Sequence, residues 1–147
     1  MLNCMNLKKL CNLLFSFALF SLLSTFLTHK VFASTGTFSY TGNMNNSRSI
    51  HTETLLQNGK VLIVGGDKYY GAAELYDSTT GTFSLSGNLV NSIGDGSTAT
   101  LLQNGKVLIT GGINSSNIAT PIAEVYDPIN NSFSQVGNMN YGREFHT

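Results

Sequence analysis

Residues 54–63 read TLLQNGKVLI, and residues 100–109 read TLLQNGKVLI again. The copies start 46 residues apart, and each runs into a diglycine, Gly65-Gly66 and Gly111-Gly112. Identity at such a period marks one supersecondary unit used twice. Working outward, Gly36-Thr37-Phe38-Ser39, Gly81-Thr82-Phe83-Ser84 and Asn131-Ser132-Phe133-Ser134 correspond. Glu74-Leu75-Tyr76-Asp77 matches Glu124-Val125-Tyr126-Asp127, and Arg48-Ser49-Ile50-His51-Thr52 matches Arg143-Glu144-Phe145-His146-Thr147. The chain thus holds the tail of one unit, two full units and the opening of another.

Every local signal within a unit is strand or turn. Asn58-Gly59 and Asn104-Gly105 sit between apolar runs, where the pair favours a two-residue type I′ hairpin loop with positive φ at both positions. The hairpin arms are residues 50–57 and 60–64 in the first unit, and 98–103 and 106–110 in the second. Val61-Leu62-Ile63-Val64 is apolar without alternation, the pattern of a strand covered on both faces. Residues 72–77 and 122–127 alternate apolar with polar, and a turn then leads to a short strand around Phe83 or Phe133. Four antiparallel strands per unit, with no helical period, predict an all-β fold. Sheets of four short strands stacked on copies of themselves are propeller blades, and glycines ending the second strand suit close backbone approach near a crowded axis.

The series Arg48/His51, LLQNGKVLI, Gly65-Gly66, Tyr76-Asp77 and Phe83 closely resembles the kelch repeat of β-propellers, including those of the galactose oxidase type. Gly111-Gly112, Tyr126-Asp127-Pro128 and Phe133 continue the resemblance in the second unit. Two departures stand out. The family usually has Trp where Phe83 and Phe133 stand, and the second unit offers Gly94-Asp95-Gly96-Ser97 in place of the Arg-His pair. The resemblance implies a partial kelch propeller over residues 34–147: an outer strand at 36–41, blades at 42–86 and 87–136, and the start of a further blade at 137–147. Kelch rings have roughly five to seven blades. Two blades are therefore expected to be an incomplete ring, either a truncated reading frame or a half-ring that self-associates through its open blade faces.

At 147 residues the chain is at most one ordinary domain. Residues 1–33 hold both cysteines, Cys4 and Cys11, together with Lys8, Lys9 and Lys30, but no acid. Beyond Ala33, five Lys and Arg stand against eight Asp and Glu, so the body is mildly acidic. Without a basic patch, nucleic acid is excluded as a partner. Lys8-Lys9, the apolar run 10–27 and Val31-Phe32-Ala33 read as a secretory signal peptide cleaved after Ala33. The protein is then exported: secreted, periplasmic or at the cell surface. The alternative is an uncleaved membrane anchor, although Asn12, Ser16, Ser21, Ser24 and Thr25 dilute a run already short for a span. Cleavage removes both cysteines, leaving no disulfide, thiolate metal site or Cys nucleophile in the body.

The meander places the Asn-Gly hairpins and the turns at 78–81 and 128–131 on one face, nearly alike in both units. The opposite, upper face carries the loops 67–71 and 113–121 and the links 44–49 and 89–96, which differ. Variable loops on a rigid scaffold are where binding concentrates. There, Tyr69 and Tyr70 offer a stacking platform for a sugar ring or a hot spot for a protein, against the blander reading that one of them packs under the loop. Asn114 and Asn117 offer adaptable polar contacts or a merely solvated loop. Arg48 with His51, and Arg143 with His146, could hold an anion near the axis, whereas their recurrence favours packing and backbone hydrogen bonds. His51 and His146 are the only histidines after Ala33 and lie in different units, so no metal site is expected. No catalytic constellation stands out, because Asp77 and Asp127 suit turn capping. The expected function is a non-catalytic exported binding or scaffold module for protein or glycan, with no cofactor. The rival that the resemblance implies is a fragment of a kelch-type enzyme, of the carbohydrate oxidase or sialic-acid isomerase type, or a non-functional remnant. On this reading the identical hairpins specify the scaffold and lie remote from any ligand.

Overall fold

A computed structural model of the chain describes residues 36–67, 71–91 and 93–147. The expected signal peptide and the pair Tyr69/Tyr70 lie outside them. Among the described residues eight strands form: β1 (Thr52–Leu55), β2 (Val61–Val64), β3 (Ala73–Asp77), β4 (Thr82–Leu85), β5 (Ser97–Leu101), β6 (Val107–Gly111), β7 (Ala123–Asp127) and β8 (Ser132–Gln135). They make two four-stranded antiparallel meanders, β1-β2-β3-β4 and β5-β6-β7-β8. No helix occurs among the described residues. The all-β fold expected from the sequence is the fold observed.

The hairpin loops differ from the expected type I′ turn. Gly59 N donates to Leu56 O at 3.0 Å, and Leu56 N donates to Lys60 O at 2.8 Å, so the loop has three residues, not two. Gly59 alone takes positive φ, at 82°, and Asn58 does not. This is a turn followed by a left-handed glycine bulge, the three-residue hairpin solution. The reason lies in the asparagine side chain: Asn58 Oδ1 accepts Lys60 N at 3.1 Å, closing the turn with a right-handed asparagine. The second hairpin repeats this with Gly105 N on Leu102 O and Asn104 Oδ1 on Lys106 N.

The diglycines explain how neighbouring units meet. Gly65, Gly66, Gly111 and Gly112 all have left-handed φ, between 68° and 84°. A Cβ on Gly65 would stand 2.8 Å from Gly94 O of the following unit, and one on Gly66 would strike Ser49 O and His51 of its own. Gly111 meets Arg143 O and Gly112 meets Asp95 O and Ser97 in the same pattern. Each pair therefore sits where three stretches of backbone cross without room for side chains. Beside this crossing a row of left-handed residues links successive units: Ile50 (φ 55°), Gly96 (φ 72°) and Phe145 (φ 51°). Gly96 N donates to Ile50 O at 3.4 Å and Phe145 N to Gly96 O at 2.8 Å. The left-handed turn at Ile50 is also why β1 begins at Thr52 and not at residue 50, as expected.

The core lies between the two sheets. Leu62, Val64 and Ala73 from the first join Val107, Ile109, Tyr126 and Phe133 from the second, with Leu89 and Ile93 of the link between them. Burial depends on the neighbour. Tyr126 and Phe133, packed at 4.9 Å, are buried, whereas their counterparts Tyr76 and Phe83, at 4.8 Å, are only half-buried. The uncovered face of the first sheet forms a groove lined by His51, Val61, Ile63, Tyr76 and Phe83.

Residues 36–41 do not form the expected outer strand. A strand there needs the edge of a third strand to pair with, and β3 and β7 already carry β4 and β8. Phe38 and Tyr40 are fully exposed instead. Within the compact unit that starts at Ser39, Thr41 and Gly42 attach to the β3–β4 turn: Thr41 Oγ1 lies 2.8 Å from Tyr76 Oη, and Gly42 N donates to Gly81 O at 2.8 Å. That turn is held by Asp77, whose Oδ1 accepts Thr79 N at 2.9 Å and Thr79 Oγ1 at 2.6 Å. Lys60 Nζ lies 3.2 Å from the other oxygen.

Two outcomes are expected. Gly66→Ala must accommodate both a left-handed alanine and a backbone collision, and should lower stability by about 2–4 kcal/mol in urea unfolding. Gly59→Ala, with open space around it, bears only the backbone strain and should cost less. The Thr79 hydroxyl and N–H, with Lys60, lower the Asp77 pKa from 3.8 to about 2. A folded pKa below the unfolded one adds stability above pH 3.8 that is lost as pH falls toward 2. Acid unfolding of Asp77→Asn should accordingly show a shallower decline in that window than the parent chain.

Candidate functional site

The upper face is built by the segments that lead into β1 and β5, the loops after β2 and β6, and residues 137–147. Its first feature is a clamp inside the first blade. The Arg48 guanidinium and the Glu74 carboxylate are both fully buried. Arg48 Nε and Nη2 donate to Glu74 Oε1 at 3.1 and 3.0 Å, and Nη1 donates to Gly65 O at 2.8 Å and Ala72 O at 2.9 Å. Asp67 Oδ1 lies 3.9 Å away. Glu74 also accepts Asn45 N at 2.7 Å, Asn45 Nδ2 at 2.9 Å and Asn46 N at 3.1 Å. Burial pushes the Glu74 carboxyl up, but the bonds from Asn45, Arg48 and Asn46 outweigh it and hold its pKa below the ordinary glutamate value.

The second blade keeps the carboxylate and drops the cation. Glu124, equally buried, accepts Val90 N at 2.9 Å, Asn91 N at 2.7 Å and Asn91 Nδ2 at 2.9 Å. Ile93, two residues beyond Asn91 as Arg48 is beyond Asn46, fills the corresponding place and is fully buried. Three N–H donors thus suffice to hold an inward carboxylate, and Arg48 adds ties to Gly65 and Ala72. A buried ion pair and a well-packed apolar residue are often of similar worth, so both solutions serve one fold.

Arg48 is therefore spent inside its blade. Arg143, its counterpart, has an exposed side chain, while its backbone ties residues 139–146 to the second blade through Gly112 N at 2.8 Å. The fold does not bring the two arginines together on one ligand. His146 Nε2 lies 3.1 Å from both Thr98 Oγ1 and Thr110 Oγ1, and His51 Nε2 lies 3.6 Å from Glu53. No group of three His, Cys, Asp or Glu is placed to hold a metal among the described residues.

The loop after β6 is a small hairpin. Ile113 bridges Ala119, Asn114 N donates to Ile118 O at 3.0 Å, and Asn117 is left-handed at φ 57°. Asn114 Oδ1 accepts Ser116 N at 2.9 Å and Ile118 N at 3.1 Å, so it shapes the loop, while Asn117 and Ile118 are exposed at its end. Sequence reading missed Glu74 and Glu124 as partners of the lead-in segments. The one available signal was the glutamate shared by AELYD and AEVYD, an acid at a position flanked by core residues.

Two stacked meanders with glycine crossings between them define a segment of a β-propeller. The family model of the kelch motif matches residues 97–140, the second blade from β5 to just beyond β8. A comparison with curated proteins found no match. Among solved structures, the chain is similar to a novel fungal alcohol oxidase of the AA5 family in complex with copper, at 22% identity and a TM-score of 0.51. The match covers 60% of this chain and 18% of that one, so the chain spans less than a fifth of the oxidase, and the likeness is one of fold. The chain carries a kelch motif on its second blade and fits a kelch-repeat family.

The two glutamates should respond differently to neutralisation. Glu74→Gln takes from a buried arginine its hydrogen-bonded carboxylate and should cost about 3–5 kcal/mol. Glu124→Gln loses only charge-assisted bonds and should cost about 1–3 kcal/mol. Urea unfolding of the two variants measures the difference, and equal losses would show that Arg48 has no share in holding the blade.

Proposed function

We propose that the chain is an exported, non-catalytic binding module that recognises a protein or a glycan through its upper loops. The observation that carries this reading is the contrast between the faces. The hairpin turns of the two blades are alike in sequence and in hydrogen bonding, whereas the upper loops at 67–71 and 113–121 differ in length and sequence. A fixed scaffold with unlike loops on one face is the arrangement of a recognition surface. Asn117 and Ile118 end the second loop, Arg143 stands exposed in the segment 137–147, and Tyr69 and Tyr70 are the aromatic candidates of the first loop. Tyrosine gives contact area at low entropic cost, and an exposed arginine adds charge-assisted bonds. Export rests on the leader-like residues 1–33.

A glycan array and an affinity capture, each run with the parent chain, a Tyr69→Ala/Tyr70→Ala variant and an Asn117→Ala variant, test the binding face. Loss of about tenfold or more in affinity on removing the tyrosines is expected. Binding unaltered in both variants overturns the assignment to these loops. N-terminal sequencing of the exported product should begin at Ser34, and retention of residues 1–33 would favour the anchored form.

A further inference from the structure

We propose that the face opposite the upper loops holds a second binding site, which takes an extended, uncharged peptide segment by its main-chain amides. Three turns enclose a groove of about 200 Å³ between the two blades. Gln57 and Asn58 line it from the first hairpin, Asn104 and Lys106 from the second, and Pro128 and Ile129 from the β7–β8 turn.

The polar groups of this groove are fixed in advance. Asn58 Oδ1 and Asn104 Oδ1 are each held at 3.1 Å by the backbone N–H two residues on. The NH2 of each is left as a donor with no acceptor among the described residues. Gln57 lies over Gly105, its Oε1 2.8 Å from where a Cβ would stand, and makes no hydrogen bond among the described residues. Both ends of its carboxamide remain available. The turn geometry does not require glutamine here, yet Gln57 and Gln103 hold the same exposed place in the identical decapeptides.

The chemistry selects the occupant. Lys106 Nζ is neutralised by Asp127 Oδ2 at 3.0 Å, so the groove has no net charge with which to draw a polyanion. Among the described residues no aromatic ring lines it, so they offer a sugar no platform to stack on. A carboxamide has the donor and acceptor of a peptide unit, and a set of them from adjacent turns complements a main chain in which that unit repeats. Ile129, 92% exposed, and Pro128 offer apolar contact to a side chain of the same segment. Short hydrogen-bonded turns lose little freedom on binding, which favours a rigid site of this size. The site is separate from the upper loops and does not depend on their role.

Nitrogen-15 NMR of the full chain, titrated with acetyl-Ser-Ala-Ser-Ala-Ser-amide, its backbone N-methylated counterpart and maltohexaose, tests the proposal. Saturable shifts of the Asn58, Asn104 and Gln57 side-chain NH2 signals are expected with the first peptide. N-methylation and Gln57→Ala should each weaken the response about three- to tenfold, the worth of a hydrogen bond. Because Gln57 makes no hydrogen bond among the described residues, its replacement should leave the remaining spectrum in place, and Tyr69→Ala/Tyr70→Ala should leave the shifts unchanged. No saturable shift, an equal response to the N-methylated peptide, or a response to maltohexaose in place of the peptide overturns the proposal.

Discussion

Four glycines carry the constraint on which the rest depends. At the end of β2 and of β6 the chain must pass against its own lead-in segment and against that of the next unit, with carbonyl oxygens where a Cβ would stand. Only residues without a side chain, in left-handed conformation, satisfy both demands. Once they are in place, the lead-in segment lies close enough to β3 for its N–H groups to reach an inward glutamate. The carboxylate then fixes the segment, and the segment delivers β1 or β5 to its partner in register. Backbone clearance thus permits the hydrogen bonds of the carboxylate, and those bonds hold the lead-in segment beside the sheet.

Packing between the sheets rests on positions that are equivalent in sequence and unlike in burial. Val61, Tyr76 and Phe83 repeat as Val107, Tyr126 and Phe133, yet only the second set is sealed, because only it meets the Leu62–Val64 face of a neighbour. A blade thus has no complete core of its own. Its stability is shared with the unit beside it, as in other repeat architectures.

The hairpins, the four-strand meander and the crossing glycines were all legible, because each follows from short-range rules of turn and periodicity. The turn type was not, since Asn-Gly serves two hairpin geometries and the choice between them fell to a side-chain bond from Asn58 to Lys60 N. The segment at 36–41 has the pattern of a strand, but pairing needs a free edge, which no pattern within the segment reveals. Arg48 could be read as holding an anion near the axis, with packing and backbone hydrogen bonds the favoured reading, but its carboxylate partner was not legible. Its true partner, Glu74, lies 26 residues on, and only the folded sheet joins them. The upper loops are the least readable part for a physical reason: they obey no repeat.

The row of left-handed residues Ile50, Gly96 and Phe145 is joined from unit to unit by main-chain hydrogen bonds. An isoleucine, a glycine and a phenylalanine occupy the three places, so the main-chain bonding recurs while the side-chain contacts differ: the Phe145 ring lies against Gly96, where a Cβ would stand 3.2 Å from it. Such a row acts as a hoop at the inner rim. It keeps successive blades in step while each is free to change its surface, so new loops can be exchanged into the array without re-solving how one blade finds the next.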